Sequence, residues 1–321
     1  MTNKNLKVAF QMDALEKLNF KGDSTYLFIM EAYNRGLEVY FYTPNTVSWV
    51  EEKVVARVCK INQVLDVNKV AEGEIPIKHN ESELKNLEDF DIIFLRQDPP
   101  FDMAYITSTF LLEKIMDKVK IVNNPASVRN SPEKLLVTEF YKYMPKTIIT
   151  SDYDTINQFL EENGRVVIKP LYGNAGSDVF FLQKGDVNVK PIIQYFLHTF
   201  KEQVMVQEFL ENVKYGDKRI ILIDGEFAGG FARIPAEGEI RSNLAVGGSA
   251  KESAITERDM EICKAIGSRL KELGLFFVGI DVIDGYMTEI NVTSPTGVRS
   301  ILNMSGEDLS VKLWDKLLAS M

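Results

Sequence analysis

The sequence is poor in cysteine and histidine and has no excess of positive charge, and each shortage removes a class of chemistry. Its two cysteines, Cys59 and Cys263, fall in a strand-like and a helix-like run; they suit a reducing compartment and leave no cysteine-based metal site. Its two histidines, His79 and His198, read as surface or internally satisfied residues, so histidine-centred catalysis is not expected. A net charge of −9 withholds the cationic footprint that nucleic acid demands. It does not argue against a nucleotide, which needs only a few placed cations and a metal ion. No stretch approaches the roughly 18 apolar residues of a membrane span. The opening MTNKNLKVAF passes into a strand-like run without a long apolar region or a small-residue cleavage site, so no secretory signal is expected and a cytoplasmic location is. There is no G-x-x-x-x-G-K-[ST] loop, no G-x-G-x-x-G after the first strand and no kinase-type catalytic loop.

What is there describes an ordinary globular chain: 45% apolar and 26% charged residues, with a mean hydropathy of −0.09. A length of 321 residues predicts two or three domains. Residues 1–125 alternate strand-like runs (LKVAF at 6–10, LEVYFY at 37–42, DIIFL at 91–95, KIVNNP at 120–125) with helical periodicity at 24–35 and 102–119, which predicts an α/β domain on a mostly parallel sheet. The valine-rich stretch 47–68 reads as two or three short antiparallel strands. Ser131 and Pro132 predict a helix start, with Ser131 as N-cap and Pro132 as first helical residue. Beyond it the character becomes α+β. Strands are expected at 165–170, 178–182, 219–223, 227–234, 277–283 and 286–292, with Asp-Gly hairpin turns at 224–225 and 284–285. Helices are expected near 153–162, 189–202, 256–273 and 306–320. The expected division is 1–125, 126–203 and 204–321.

Four segments carry candidate chemistry, and each alone has an ordinary structural explanation. In VVIKPLYGNAGSDVFFL (166–182), Lys169 closes an apolar strand beside a loop holding Gly173 and Gly176; such a lysine reaches phosphates that loop amides can cover. In the second, an apolar strand runs into Gln207-Glu208-Phe209-Leu210, a connector whose backbone can hydrogen-bond an adenine edge, and Asp217-Lys218-Arg219 then opens a strand. The third, ARIPAEGEIRSNLAVGGSA (232–250), places Arg233 at a strand end before a long loop with Gly238, Arg241, Asn243, Gly247 and Gly248, which reads as a phosphate-binding lid over 236–248. The fourth, FVGIDVIDGYMTEINVTSP (277–295), sets Glu289 and Asn291 on one strand face. Asp281 joins them if the hairpin loop has three residues ending at Gly285; a two-residue Asp284-Gly285 turn sends it to the opposite face. Two carboxylates and an amide oxygen converging in an apolar sheet suit Mg²⁺.

The order of these segments resembles the ATP-grasp fold, in which two α+β subdomains close on ATP. Almost the whole chain resembles the bacterial glutathione synthetase family. The matching stretches are QMD (11–13), GDSTYLFIMEAYNRG (22–36), LRQDPPFD (95–102), NNPASVRNSPEKL (123–135), VIKPLYGNAG (167–176), GDKRIILIDGE (216–226), ARIPAEGEIRSNLAVGG (232–248), VGIDVI (278–283) and TEINVTSPTG (288–297). The chain departs from the family at Ala14, where proline is common, and at Ala175-Gly176, where a glycine pair is common.

The resemblance implies an N-terminal pre-ATP-grasp domain, a subdomain with the lysines and glycine loop, and a subdomain with the adenine connector, arginine loop and metal hairpin. It implies that Lys134 and Lys169 bind nucleotide phosphates, that Gln207, Glu208, Phe209 and Leu210 frame adenine, and that Gly173, Gly176 and Asp217 belong to the same site. Arg219 and Arg233, with Arg241 and Asn243 from the loop, would act on the transferring phosphoryl group. Asp281, Glu289 and Asn291 would hold Mg²⁺, with Mn²⁺ as the alternative ion. Asp13, Arg96, Ser294 and Thr296 are the substrate-side candidates; Arg96 or Arg299 would pair with a substrate carboxylate unless it forms a surface ion pair. The implied activity is ATP-dependent joining of γ-glutamylcysteine and glycine in a homotetramer. The rivals are another dipeptide or amino-acid-adding ligase, a non-catalytic ATP-binding module and an interaction scaffold.

Overall fold

Short runs in which every residue is apolar, such as Val8-Ala9-Phe10 and Ile92-Ile93-Phe94, form strands buried on both faces, which is the situation of a parallel sheet covered by helices. The computed structural model describes residues 6–173, 176–239, 241–243 and 247–321. In its first sheet β1 (Lys7–Gln11) lies parallel to β2 (Glu38–Tyr42) and β7 (Ile92–Leu95), and β7 lies parallel to β8 (Lys120–Val122). Helix α1 (Ser24–Asn34) crosses from β1 to β2; Asp23 caps it by accepting from the Tyr26 amide at 2.6 Å, and Gly36 leaves it at φ +75°.

An antiparallel wing extends this sheet. The stretch 47–68, expected as two or three short antiparallel strands, holds two antiparallel strands, a short β3 (Ser48–Val50) and a long β4 (Lys53–Val64). β4 pairs with β6 (Glu83–Asn86) through Val55–Val58 and with β5 (Ile77–His79) from Ile61 on, the second pairing broken by an irregularity between Ile61 and Gln63. A strand that changes partners interrupts its own alternation, which is why the sequence reads as separate pieces. Helix α2 (Met103–Glu113) also ends earlier than expected, although Ile115 and Val119 continue to bury their side chains.

The helix start at 131–133 is corrected. Asn124 caps α3 (Pro125–Asn130) by accepting from the Ser127 amide at 3.0 Å, so Ser131 ends a helix, and Pro132 is the cap of the next one, α4 (Glu133–Leu136). The residue before proline is held out of the helical region, and Ser131 sits at φ −125°, ψ 62°.

The second sheet has the order β11 (Phe180–Gln183), β10 (Arg165–Pro170), β12 (Val204–Glu208), β9 (Thr147–Thr150), all antiparallel, and packs on α5 (Tyr153–Asn163) and α6 (Val189–Thr199). β12, expected with the third segment, therefore belongs to the second sheet. The third sheet runs β15 (Ser249–Lys251), β14 (Glu226–Ile234), β13 (Asp217–Ile223), β16 (Phe277–Ile283), β17 (Tyr286–Asn291). Its hairpin turns are Asp224-Gly225 and Asp284-Gly285, with all four residues at positive φ. Helix α7 (Glu257–Glu272) packs on this sheet under a Thr256–Asp259 capping box. Helices α8 (Val298–Ser305) and α9 (Leu309–Ala319) return to the N-terminal part, where the buried Trp314 indole N–H donates to the Phe28 carbonyl at 3.0 Å.

Sheets one and three share apolar cores, whereas sheet two with α5 and α6 has its own. Asn123, just past β8, locks the shared arrangement. Its amide donates to the carbonyls of Phe277 (2.8 Å) and Val292 (3.0 Å) and accepts from the Phe277 N–H at 2.8 Å. The candidate metal hairpin is thereby fixed to the first sheet. Among the described residues no helix is long and apolar enough to cross a membrane.

Candidate active site

The hairpin β16–β17 places Asp281 directly opposite Glu289, with Asn291 opposite Gly279 on the same face. The route differs from the three-residue loop that the parity argument favoured. The turn has the two residues Asp284 and Gly285, and a register shift next to Asp281 supplies the missing step: Val282 pairs with Met287 and Asp281 with Glu289, leaving Thr288 as the extra residue of a bulge.

Behind these carboxylates lies a buried guanidinium cluster. Arg219 donates through Nε to Asp281 Oδ1 at 2.6 Å and through Nη2 to Oδ2 at 3.2 Å; Arg233 Nη2 reaches the same Oδ2 at 2.8 Å. Arg233 is itself held by Asp217, through Nε at 2.7 Å and through Nη2. Burial is the largest influence on Asp281 and favours its neutral form, but Arg219 and then Arg233 outweigh it and hold the carboxyl well below the usual range. Arg233 likewise keeps its charge against burial because Asp281 and Asp217 both face it.

On the other side, Glu289 faces two buried lysines, Lys134 Nζ at 3.4 Å and Lys169 Nζ at 3.7 Å. These lysines, from α4 and β10, overcome the burial that would protonate Glu289 and lower its pKa. Burial pushes the Lys169 ammonium down to about 8, with Glu289 resisting. Lys134, which alone reads as an exposed helix lysine, is 4% exposed and donates to the Gly173 carbonyl at 2.6 Å. A side chain at Gly173 would collide with Pro170 at 2.6 Å, so the loop's close approach to the lysine requires glycine there.

A cavity of about 120 Å³ is lined by Lys169, Gly176, Gln207, Glu208, Phe209, Leu210, Asp217, Arg241, Asn243, Asp281 and Glu289. Gln207 is fixed by a 2.9 Å bond from Nε2 to the Thr147 hydroxyl, and the Glu208 and Phe209 amides donate to Lys146 and Arg165. Leu210 N–H donates to no described residue. Arg241 pairs with Glu239 at 2.6 Å and approaches the Gly176 carbonyl at 3.4 Å, bringing the arginine loop against the glycine loop. Ala175 and residues 240 and 244–246 of the expected lid lie outside the described residues.

A second cavity, about 330 Å³, shares Glu289 and Asn243 with the first and is lined also by Arg219, Arg233, Asn291, Ser294, Thr296, Asp98 and Glu133. Thr296 contributes its carbonyl to Arg219 Nη1 at 3.2 Å. The sequence reading missed Glu133, whose pKa is raised by burial and then by Glu289. It missed Asp98 too, whose position in LRQDPPFD gave no signal beyond resemblance.

The chain belongs to the prokaryotic glutathione synthetase family. The family's N-terminal domain model matches residues 6–129 and its ATP-grasp domain model matches residues 133–306. The glutathione synthetase of Bradyrhizobium diazoefficiens is 48% identical over 312 residues, covering 97% of this chain and 98% of that protein. The glutathione synthetase of Synechocystis is 39% identical, covering 96% and 98%. Among solved structures, a D-cycloserine synthetase superposes with a TM-score of 0.68 at 15% identity, covering 97% of this chain and 98% of that one. The ATP-grasp ligase PsnB, complexed with its minimal precursor, superposes with a TM-score of 0.63 at 17% identity over 99% and 100%. At these identities the structures share the fold, and the ATP-grasp architecture of the chain is plain.

Not every substrate-side candidate of this family member reaches the cavity. Asp13 is half-buried, accepts from the Asp98 amide at 2.8 Å and is not among the residues that line either cavity. Arg96 is 5% exposed, donates to the Thr25 hydroxyl at 3.0 Å and has both Nη atoms buried without a partner; Arg299 has Nε and Nη2 in the same state. Neither forms an ion pair with a described residue. The donor set of the hairpin suits a hard cation. Both carboxylates are held ionised, and Asn291 has a buried amide nitrogen with no partner, so the amide makes no competing bond through it. Among the described residues no group of three or more carboxylate, imidazole or thiol side chains is assembled, so an ion here needs further oxygens from phosphate or water.

Proposed function

We propose that the protein joins the cysteinyl carboxylate of γ-glutamylcysteine to the amine of glycine at the expense of ATP, giving glutathione, ADP and phosphate. The observation that carries this reading is the wall shared by the two cavities. Asp281 and Glu289 line the cavity with Lys169 and the adenine connector, and Glu289 also lines the cavity with Arg219, Arg233 and Asn291. A γ-phosphoryl group lying beside Glu289 therefore meets a carboxylate arriving from the second cavity.

In the first step a substrate carboxylate oxygen attacks the γ-phosphorus and the bond to ADP breaks. In the second the amine nitrogen attacks the acyl carbon, and phosphate leaves with the C–O electron pair. Lys134 and Lys169 bind the phosphates, Gln207 to Leu210 hold adenine, and Arg219 and Arg233 offset charge at the transferring group. Asp217 keeps Arg233 oriented. Asp281, Glu289 and Asn291 would hold Mg²⁺ or Mn²⁺, which neutralises phosphate charge when bound. Arg241 and Asn243 cover the junction and help exclude water from the acyl phosphate. Ser294 and Thr296 lie on the acceptor side, and the cationic centres of Arg96 and Arg299 attract the anionic dipeptide. A cytoplasmic homotetramer completes the reading, supported by the thiol content and the family.

ADP release from purified protein, measured across carboxylate and amine substrates, tests this. Release should require γ-glutamylcysteine and glycine together. Faster turnover with D-alanine, glutamate or another amine would keep the ligase chemistry and overturn the substrate assignment.

A further inference from the structure

An amine reaches an acyl phosphate as an ammonium ion and must lose protons to become and remain a product amide. The guanidinium and ammonium groups around the reacting centre are unsuited to accept them. Most carboxylates there are committed: Asp281 to Arg219 and Arg233, Asp217 to Arg233, and Glu289 to two lysines. Glu133 is different. It is the first residue of α4, immediately before Lys134, and lines the second cavity. Its Oε1 accepts from the Thr293 hydroxyl at 2.8 Å and from the Val292 and Thr293 amides at 3.2 and 3.4 Å. Those donors leave the chain directly after Asn291, so the carboxylate is held in register with the hairpin. Its Oε2 accepts no hydrogen bond from a described residue, and Glu133 forms no ion pair within 4.0 Å among them. The other carboxylate on this wall without an ion pair among the described residues, Asp98, is engaged by the Ser294 side chain and sits on an exposed loop, where water competes for it.

We propose that Glu133 accepts the ammonium proton of the incoming amine and so frees it to attack, its Oε1 anchored by residues 292 and 293 and its Oε2 turned to the incoming nitrogen. This rests on the ligase reading above. The first proton of the ammonium passes to Oε2 and frees the nitrogen lone pair; as the C–N bond forms, the electron pair of the C–O bond leaves with phosphate, which carries off the second nitrogen proton. The role belongs to the second step alone. Formation of the acyl phosphate needs no base, since the attacking carboxylate is already ionised.

That restriction supplies the test. With ATP carrying ¹⁸O in the β–γ bridge, γ-glutamylcysteine and no glycine, reversible acyl-phosphate formation scrambles the label. Hydroxylamine, neutral at pH 7, traps the same intermediate as a hydroxamate without help from a base. Glu133→Gln should scramble label and form hydroxamate within about threefold of the parent, yet ligate glycine at least about 100-fold more slowly. Glu133→Asp, which keeps the carboxylate but withdraws it by one methylene, should give an intermediate loss with glycine only. Glycine ligation by Glu133→Gln near the parent rate overturns the proposal. So does a parallel fall of scrambling, hydroxamate and ligation in both variants, which marks a purely structural role. A parent protein that fails to scramble with γ-glutamylcysteine overturns the ligase reading, and the proposal falls with it.

Discussion

Asp281 and Glu289 face each other across the β16–β17 ladder because a one-residue bulge at Thr288 offsets a two-residue turn. Either device alone would put the two carboxylates on opposite faces of the sheet. Together they bring a carboxylate held by arginines beside one held by lysines, with Asn291 two residues further on.

Glu289→Gln should therefore lower ADP release by at least about 100-fold, the scale for removing one transition-state contact. It should also lower Tm. The substitution leaves the Lys134 and Lys169 ammoniums without their shared counter-charge. Breaking a buried pair costs about 3–5 kcal/mol. Lys169 can shed its proton, so a loss of about 1–3 kcal/mol, several degrees, is expected. Differential scanning calorimetry beside the ADP assay checks both; full turnover in the variant would remove Glu289 from the centre.

Lys169 gives a pH dependence with a definite sign. Burial lowers its ammonium from 10.5 to about 8, so it is charged below pH 8 and increasingly neutral above. ATP affinity, measured by calorimetry, should be flat below pH 8 and fall above it. Lys169→Met should weaken ATP roughly 10- to 100-fold at pH 7 and abolish the break. For stability the sign is opposite. Between pH 8 and 10.5 the unfolded chain binds more protons, so this residue's contribution to folding improves as pH rises.

Much of this was legible in the sequence because it depends on local rules. The Asp-Gly dipeptides predicted both hairpin turns, and the run 165–170, with Lys169 near its end, became β10. The pairing of Asp281 with Glu289 was half legible: the i, i+2 spacing placed Glu289 and Asn291 together, but a bulge has no strong local signature. Ser131 illustrates the opposite failure. Its cap-like chemistry was real, but α3 already occupied the preceding residues, so it closed a helix. Lys134 could not be distinguished from a solvated lysine, because what buries it is the Gly173 carbonyl and Glu289, 39 and 155 residues away. Glu133 carries no local signal at all, since its partners Val292 and Thr293 follow a strand in another sheet.

The thiols should be poorly reactive in the folded protein. Burial, and then Asp259, push Cys263 up to about 12, and burial also raises Cys59. Only the thiolate is a nucleophile. At pH 8 a disulfide reagent should modify at most Cys59, slowly, and should modify both thiols once denaturant is added. Rapid labelling of Cys263 in native protein would show that α7 opens far more readily than its packing implies.

Arg233 separates charge from geometry. Its guanidinium engages Asp217 with two nitrogens and still reaches Asp281, a fork that an ammonium cannot reproduce. Arg233→Lys retains the positive charge, so the buried carboxylates are not abandoned. The stability loss should be about 1–2 kcal/mol, less than the 3–5 kcal/mol for deleting one partner of a buried pair. Catalysis should suffer more, by about 100- to 1,000-fold, because a misplaced donor no longer meets the phosphoryl group where its charge develops. Asp217→Asn should reproduce part of that loss, since the amide holds the guanidinium less firmly. If Asp217 acts only by positioning Arg233, the two losses will not add. The double variant should be no slower than Arg233→Lys alone, a coupling of more than 1 kcal/mol in a double-mutant cycle on kcat/KM. Additive losses would give Asp217 a contact of its own with the nucleotide.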